Sequence, residues 1–135
     1  MPSQVDKTDR SLPIPDAFDI ARRELDDRTS VIAIEGDLDL STAPQLKWML
    51  LDSLEAGHSQ LVVDLSQATF MDSTALGVLI GVNRSLDVGA RLAIVCARAN
   101  LLKIFELSGM DGAFAIFSTL QDALAHAQAS TAETG

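Results

Sequence analysis

Three polar residues, Asp72, Ser73 and Thr74, separate a short apolar strand pattern from a strongly apolar helix pattern. A hydroxyl at such a junction can cap the helix, attack a substrate carbonyl, or accept a phosphoryl group. Two more carboxylates, Asp37 and Asp39, follow another strand pattern. The sequence therefore offers serine or threonine chemistry beside acidic side chains, and the neighbouring residues decide between the alternatives.

Nucleophilic catalysis by Ser73 is disfavoured by the residues around it. A hydrolase nucleophile elbow needs glycine two positions before and after the serine, whereas Met71 and Ala75 stand there. Neither His58 nor His126 lies beside an evident acidic partner, as a catalytic triad would require. We therefore expect no enzymatic activity and no catalytic residues.

A phosphorylated aspartate is the second alternative, with Asp64 as the acceptor and Asp37 and Asp39 as a metal-binding pair. Receiver domains of this type alternate strands and helices from the start and carry a lysine after the last strand. This chain is predicted to open with two strands, and no lysine follows Phe117. We favour turn and capping roles for Asp37 and Asp39, and we expect no metal and no cofactor.

The composition limits the partners that this chain can have. Its 135 residues fit one domain, and a net charge of −9 with a single basic pair, Arg22-Arg23, disfavours nucleic-acid binding. The only cysteine, Cys96, lies in an apolar run and is expected in the core. Phosphate-loop, secretory and membrane-spanning patterns are missing from the sequence. We expect a cytoplasmic protein, monomeric or weakly dimeric, that binds neither nucleic acid nor membrane.

The apolar periodicity predicts the element order β-β-α-β-α-β-α-β-α. Strands are expected near residues 18–25, 31–34, 61–65, 91–96 and 114–117, and helices near 42–57, 74–86, 100–108 and 118–127. The first two strands should form a hairpin, and right-handed crossovers should make the rest of the sheet parallel. The predicted fold is α/β, with a mixed, mainly parallel sheet and about four helices. Residues 1–16 and 128–135 are predicted to be flexible tails on a domain spanning 17–127.

Turn and capping residues predict the ends of the helices. The spacing of Thr42 to Gln45 and of Ser118 to Gln121 matches a capping box, and Asn100 could cap the third helix. Leu107 should point inward on that helix, which Gly109 should end.

The second helix is apolar on nearly every side, so we expect it to be buried. Gly77 and Gly81 would then seat it closely on the sheet. Gly89 should form its left-handed C-cap.

The run Phe70-Met71-Asp72-Ser73-Thr74-Ala75-Leu76-Gly77-Val78-Leu79 resembles the signature of the STAS domain, found in bacterial anti-sigma factor antagonists and sulfate transporter tails. The resemblance extends through Gly36-Asp37-Leu38-Asp39 with Thr42-Ala43-Pro44, through Leu61-Val62-Val63-Asp64-Leu65, and into Leu107-Ser108-Gly109-Met110-Asp111. It covers roughly residues 18–127. Ala75 departs from the glycine that many relatives carry, and this change leaves the hydroxyl in place.

The resemblance implies a partner-switching cycle. An unphosphorylated antagonist binds an anti-sigma factor that is also a serine kinase, which releases the sigma factor; the kinase phosphorylates the antagonist and a serine/threonine phosphatase resets it. Ser73 matches the family's phosphorylated serine, with adjacent Thr74 as a second choice. The expected partner-binding residues are Asp37, Asp39, Asp72, Ser73, Thr74 and Leu76. The alternative is a non-switching STAS subunit of a stress-signalling or lipid-transport complex.

Overall fold

The computed structural model describes residues 18–109 and 114–134. The elements follow the predicted order and span β1 Asp19–Glu24, β2 Thr29–Leu38, α1 Ala43–Glu55, β3 Gln60–Met71, α2 Ser73–Arg84, β4 Arg91–Val95, α3 Ala99–Leu107, β5 Ala115–Phe117 and α4 Leu120–Thr134. The predicted N-terminal tail, and Met110 and Asp111 of the STAS-like motifs, lie outside the described residues. α4 is helical through Thr134, beyond the domain limit predicted at Ala127.

One five-stranded sheet has the strand order β1-β2-β3-β4-β5. β1 and β2 form the predicted antiparallel hairpin, and β2 through β5 pair in parallel. Because neighbouring strands follow one another along the chain, right-handed crossovers place α1, α2 and α3 on the same face of the sheet. The α/β fold with a mainly parallel sheet and four helices is thereby confirmed.

Strand alternation divides the core between the two faces of the sheet. Ile32, Val63 and Ile94 point to the face that α1, α2 and α3 cover, and Phe105 of α3 is fully buried there. The residues next to them in sequence, such as Val62, point to the other face, where they pack against α4. The polar junction after β3 therefore lies at the edge of a layered, tightly packed core.

β3 is much longer than the predicted strand 61–65, because the residues expected to form a polar connection continue it to Met71. Its pairing with β2 shifts register twice, between Ala33 and Glu35 and again between Gly36 and Asp37. At each shift β3 has one residue more than β2, which is the signature of a β-bulge. Bulges interrupt the alternation of buried and exposed residues along a strand, which explains why the sequence pattern of Ser66 to Phe70 does not predict a strand. The strands still end together, with Leu38 opposite Met71.

The packing of α2 contradicts two expectations. The helix buries one side through Ala75, Leu76, Leu79 and Val82, but Gly77 and Gly81 are exposed. A Cβ added at either glycine would meet nothing within 4 Å among the described residues, so the glycines do not seat the helix on the sheet. Because most residues of the helix are apolar, its sequence pattern does not show which side is exposed to solvent.

Four of the predicted helix ends also differ. α2 ends at Arg84, and Gly89 takes its positive φ of 92° in the turn before β4 instead. Thr42 precedes α1 without capping it, Arg98 precedes α3 in place of Asn100, and Thr119 rather than Ser118 accepts the N–H of Asp122 at 3.1 Å. Thr42 instead bonds to Asp37 and Asp39 in its own loop, and Asn100 bonds to the carbonyl of Thr69.

Of the two predictions for the C-terminal end of α3, the one for Leu107 is wrong and the one for Gly109 is confirmed. Leu107 is 78% exposed rather than pointing inward. Gly109 follows the C-cap residue of α3 with φ 77°, as predicted. Cys96 is buried in the core, and none of the described helices is long and apolar enough to cross a membrane.

Candidate functional site

The candidate site lies where β2 and β3 end side by side. Parallel strands point their carboxyl ends to the same edge of a sheet, and the register pairs Leu38 with Met71 at that edge. The loop from Asp39 to Thr42 and the start of α2 are therefore neighbours. The structure brings Asp37, Asp39, Asp72, Ser73 and Thr74 together at this corner, which we call the switch corner.

Asp72 is the N-cap of α2. Its Oδ1 accepts hydrogen bonds from the backbone N–H groups of Thr74 at 2.9 Å and Ala75 at 3.1 Å. Its Oδ2 accepts the N–H of Leu40 at 3.1 Å, and its own N–H donates to the carbonyl of Leu38 at 3.2 Å. One carboxylate therefore starts the helix and also joins it to the loop after β2.

Ser73 is the first residue of α2 and is exposed. Because Asp72 performs the capping, the Ser73 hydroxyl is not the helix cap, which removes the purely structural interpretation of this serine. Ser73 lies at the N-terminus of α2, which Asp72 fixes through its hydrogen bonds from Thr74, Ala75 and Leu40. Thr74 is also exposed, and its backbone N–H is committed to Asp72.

The two other carboxylates of the switch corner hold its loops in place. Asp39 Oδ1 accepts the Ser41 hydroxyl at 2.7 Å and the Ser41 N–H at 3.0 Å. The hydrogen bond from the Ser41 hydroxyl is the largest effect that lowers the pKa of Asp39, so this carboxyl is ionised at neutral pH. Asp37 Oδ1 accepts the hydroxyl of Thr69 at 2.8 Å. Asp39 thus makes the turn contact favoured from the sequence, whereas the carboxylate of Asp37 bonds across to the neighbouring strand β3.

Thr42 and Asn100 belong to the same network, although the sequence suggested other roles for them. Thr42 Oγ1 accepts the N–H of Asp39 at 2.8 Å and donates to the carbonyl of Asp37 at 2.9 Å. Asn100 Nδ2 donates to the carbonyl of Thr69 at 3.3 Å, which ties the start of α3 to the end of β3. Thr42 therefore bonds within its own loop, whereas the contact of Asn100 joins segments that only the fold places side by side and that no local pattern reveals.

Leu76 does not share the surface of the switch corner. It is 5% exposed and packs in the core, so a partner cannot contact it directly. The apolar residue that the sequence overlooked is Leu40, 70% exposed in the loop tied to Asp72. The available signal was a second leucine, after Leu38, in the otherwise polar run Asp37 to Thr42. Phe70, at the end of β3, is also 45% exposed.

The chain is similar to known proteins in both sequence and structure. A family model described as "STAS domain" matches residues 21–123. Anti-sigma-F factor antagonist RsfB of Mycobacterium tuberculosis is 30% identical over 95 residues, which cover 70% of this chain and 78% of that protein. Anti-sigma-B factor antagonist of Staphylococcus aureus is 28% identical over 85 residues, or 62% of this chain and 79% of that protein. An anti-sigma factor antagonist from Mycobacterium paratuberculosis superposes with a TM-score of 0.79 and 27% identity, covering 87% and 99% of the two chains.

Proposed function

The chain belongs to the STAS domain family, and from that premise we propose that it is an anti-sigma factor antagonist switched by phosphorylation of Ser73. In this proposal the unphosphorylated protein binds an anti-sigma factor through the switch corner and is not itself an enzyme. The anti-sigma factor is a serine kinase that modifies Ser73, a serine/threonine phosphatase reverses the reaction, and the cycle runs in the cytoplasm. The observation that carries the proposal is the exposed Ser73 hydroxyl directly after a helix cap that another residue provides.

The domain should tolerate a phosphate at Ser73 without refolding. A phosphoserine carries about −1.5 to −2 charges at neutral pH, and the helix N-terminus favours a negative charge by about 0.3–1 kcal/mol. The N–H groups of Thr74 and Ala75 are already taken by the Asp72 carboxylate, which repels each unit of the phosphate's charge by about 1 kcal/mol at 4 Å in water. These two effects nearly cancel, so the folded state changes little.

A bound partner experiences a much larger effect. At an interface with an effective dielectric of 20, one like-charge contact at about 4 Å costs about 4 kcal/mol. That energy corresponds to about a 700-fold loss of affinity. The switch therefore acts by charge and bulk at the docking surface, where phosphate at Ser73 adds to the negative charge of Asp37, Asp39 and Asp72 and repels an acidic group of the partner.

The test of this function is phosphorylation in vitro. The chain is incubated with ATP and the anti-sigma factor kinase of the same organism, and its peptides are examined by mass spectrometry. We expect one phosphate on the peptide that holds Ser73 and none in the Ser73→Ala variant. A phosphate on Thr74 alone would move the acceptor by one residue. Binding of the kinase without any phosphorylation would instead support the non-switching STAS subunit.

A further inference from the structure

A groove of about 420 Å³ runs between α1 and α2 on the same side of the domain as the switch corner. The residues lining it are Lys47, Leu51, Thr74, Gly77, Val78, Gly81, Val82 and Ser85. Its walls are mainly apolar, and Leu51 is 42% exposed in the free chain. The groove begins at Thr74, one residue after Ser73, so it is continuous with the switch corner.

The floor of the groove stays open in the isolated domain. Gly77 and Gly81 lie one helical turn apart on the same face of α2, and an added Cβ would meet nothing within 4 Å among the described residues. Neither glycine has the positive φ that would require this residue type. Glycine weakens a helix interior, and nothing within the described domain accounts for its use at these two positions.

The switch corner by itself is a poor docking surface, because its centre consists of carboxylates and hydroxyls. Stable protein interfaces place an apolar, well-packed core inside a polar rim and bury about 800 Å² on each partner. The groove and the exposed Leu40 and Leu51 lie beside the switch corner and supply apolar area of that kind. The switch corner would then form the rim where the phosphate acts.

We propose that the α1–α2 groove receives an amphipathic helix of the anti-sigma factor, so that Ser73 stands at the rim of this contact. The inference rests on the proposed function and names the surface through which that function works. The two glycines allow the backbone of a partner helix to approach closely, as small residues four apart do where helices pack tightly. Charge complementarity fits this occupant, because an acidic side chain of the partner can face Lys47 on the α1 wall of the groove that Thr74 also lines, where phosphate at Ser73 would repel it.

Filling the groove tests the inference without disturbing the switch. Gly81→Leu adds a side chain to open space on the helix, so its melting temperature should equal or exceed that of the wild type by roughly 2–5 °C. Its affinity for the anti-sigma factor, measured by calorimetry, should fall at least tenfold. Ala125→Leu, at an exposed position of α4 on the other side of the sheet, is the matched control and should bind like the wild type.

The outcomes separate the inference from the proposed function. Unchanged affinity of Gly81→Leu, with Ser73→Glu unable to bind, would overturn the groove as the docking site and leave the switch intact. If the wild type binds no anti-sigma factor of its organism, the proposed function fails first. Light scattering of the free chain provides a further check. A dimer that Gly81→Leu dissociates would make a second copy the occupant and overturn the inference.

Discussion

Replacing Asp72 by alanine should loosen the start of α2 and separate it from the loop after β2. Asp72→Ala removes the acceptor for the N–H groups of Thr74, Ala75 and Leu40. Loss of an N-cap side chain costs about 1 kcal/mol, and the hydrogen bond to Leu40 adds about 0.5 kcal/mol because water can replace it in part. The total, about 1.5 kcal/mol, is a sizeable share of a typical domain's stability of about 5–15 kcal/mol.

Asp72→Asn is the matched control for this substitution. Asparagine caps helices as well as aspartate does, so its Oδ1 keeps the hydrogen bonds from Thr74 and Ala75, whereas its amide nitrogen cannot accept the N–H of Leu40. The variant also removes the charge at the helix N-terminus, worth about 0.3–1 kcal/mol. Urea denaturation followed by circular dichroism measures both variants. We expect the alanine variant to be the less stable of the two. Equal stability of Asp72→Ala and the wild type would refute the capping role, and equal losses in both variants would show that the charge and the hydrogen bond to Leu40, not the cap, matter.

Three other predictions concern the core, the pH dependence of the switch corner and the cysteine. Phe105→Ala should lower the free energy of unfolding by about 3–5 kcal/mol, because Phe105 is fully buried and packs edge-on against Phe114, with 5.7 Å between the ring centroids. Chemical denaturation measures this loss. Hydrogen bonds, the first of them from the Ser41 hydroxyl, lower the pKa of Asp39 in the folded state below its usual value of 3.8. Its contribution to stability is therefore present above pH 3.8 and is lost as the pH falls through the lower folded value. An NMR titration in which Asp39 protonates at or above pH 3.8 would contradict the contacts from Ser41 and Thr42. Burial raises the pKa of the Cys96 thiol, so iodoacetamide should label it only after unfolding, and rapid labelling of the folded protein at pH 8 would show that the site opens.

The long, strongly patterned elements could be predicted from the sequence. Runs such as Leu61 to Leu65 and Val31 to Ile34 alternate between two buried faces, so they had to be strands of a covered sheet. Their order with the helices fixed the mainly parallel topology, because parallel connections have one handedness. The position of Asp72, Ser73 and Thr74 at a strand-to-helix junction followed from the same pattern.

The details of the switch corner could not be predicted, because they depend on contacts between distant segments. Asn100 has a good capping residue type, yet its side chain bonds to the carbonyl of Thr69 across the fold, and Thr42 bonds back to Asp37 in its own loop instead of capping α1. Asp72 rather than Ser73 caps α2, a choice between adjacent residues that spacing alone does not decide. The expectation that Gly77 and Gly81 contact the sheet is wrong, because a helix that is apolar on most sides does not reveal from its sequence which side is buried.

The measurement that tests the proposed switch most directly compares two forms of the same chain. The affinity of the anti-sigma factor is determined by calorimetry for the unphosphorylated protein and for protein phosphorylated at Ser73, with the melting temperature of each form as the control for folding. The account predicts an affinity at least about 100-fold weaker after phosphorylation, consistent with about 4 kcal/mol for one like-charge contact, and nearly equal melting temperatures. Equal affinities of the two forms would contradict it.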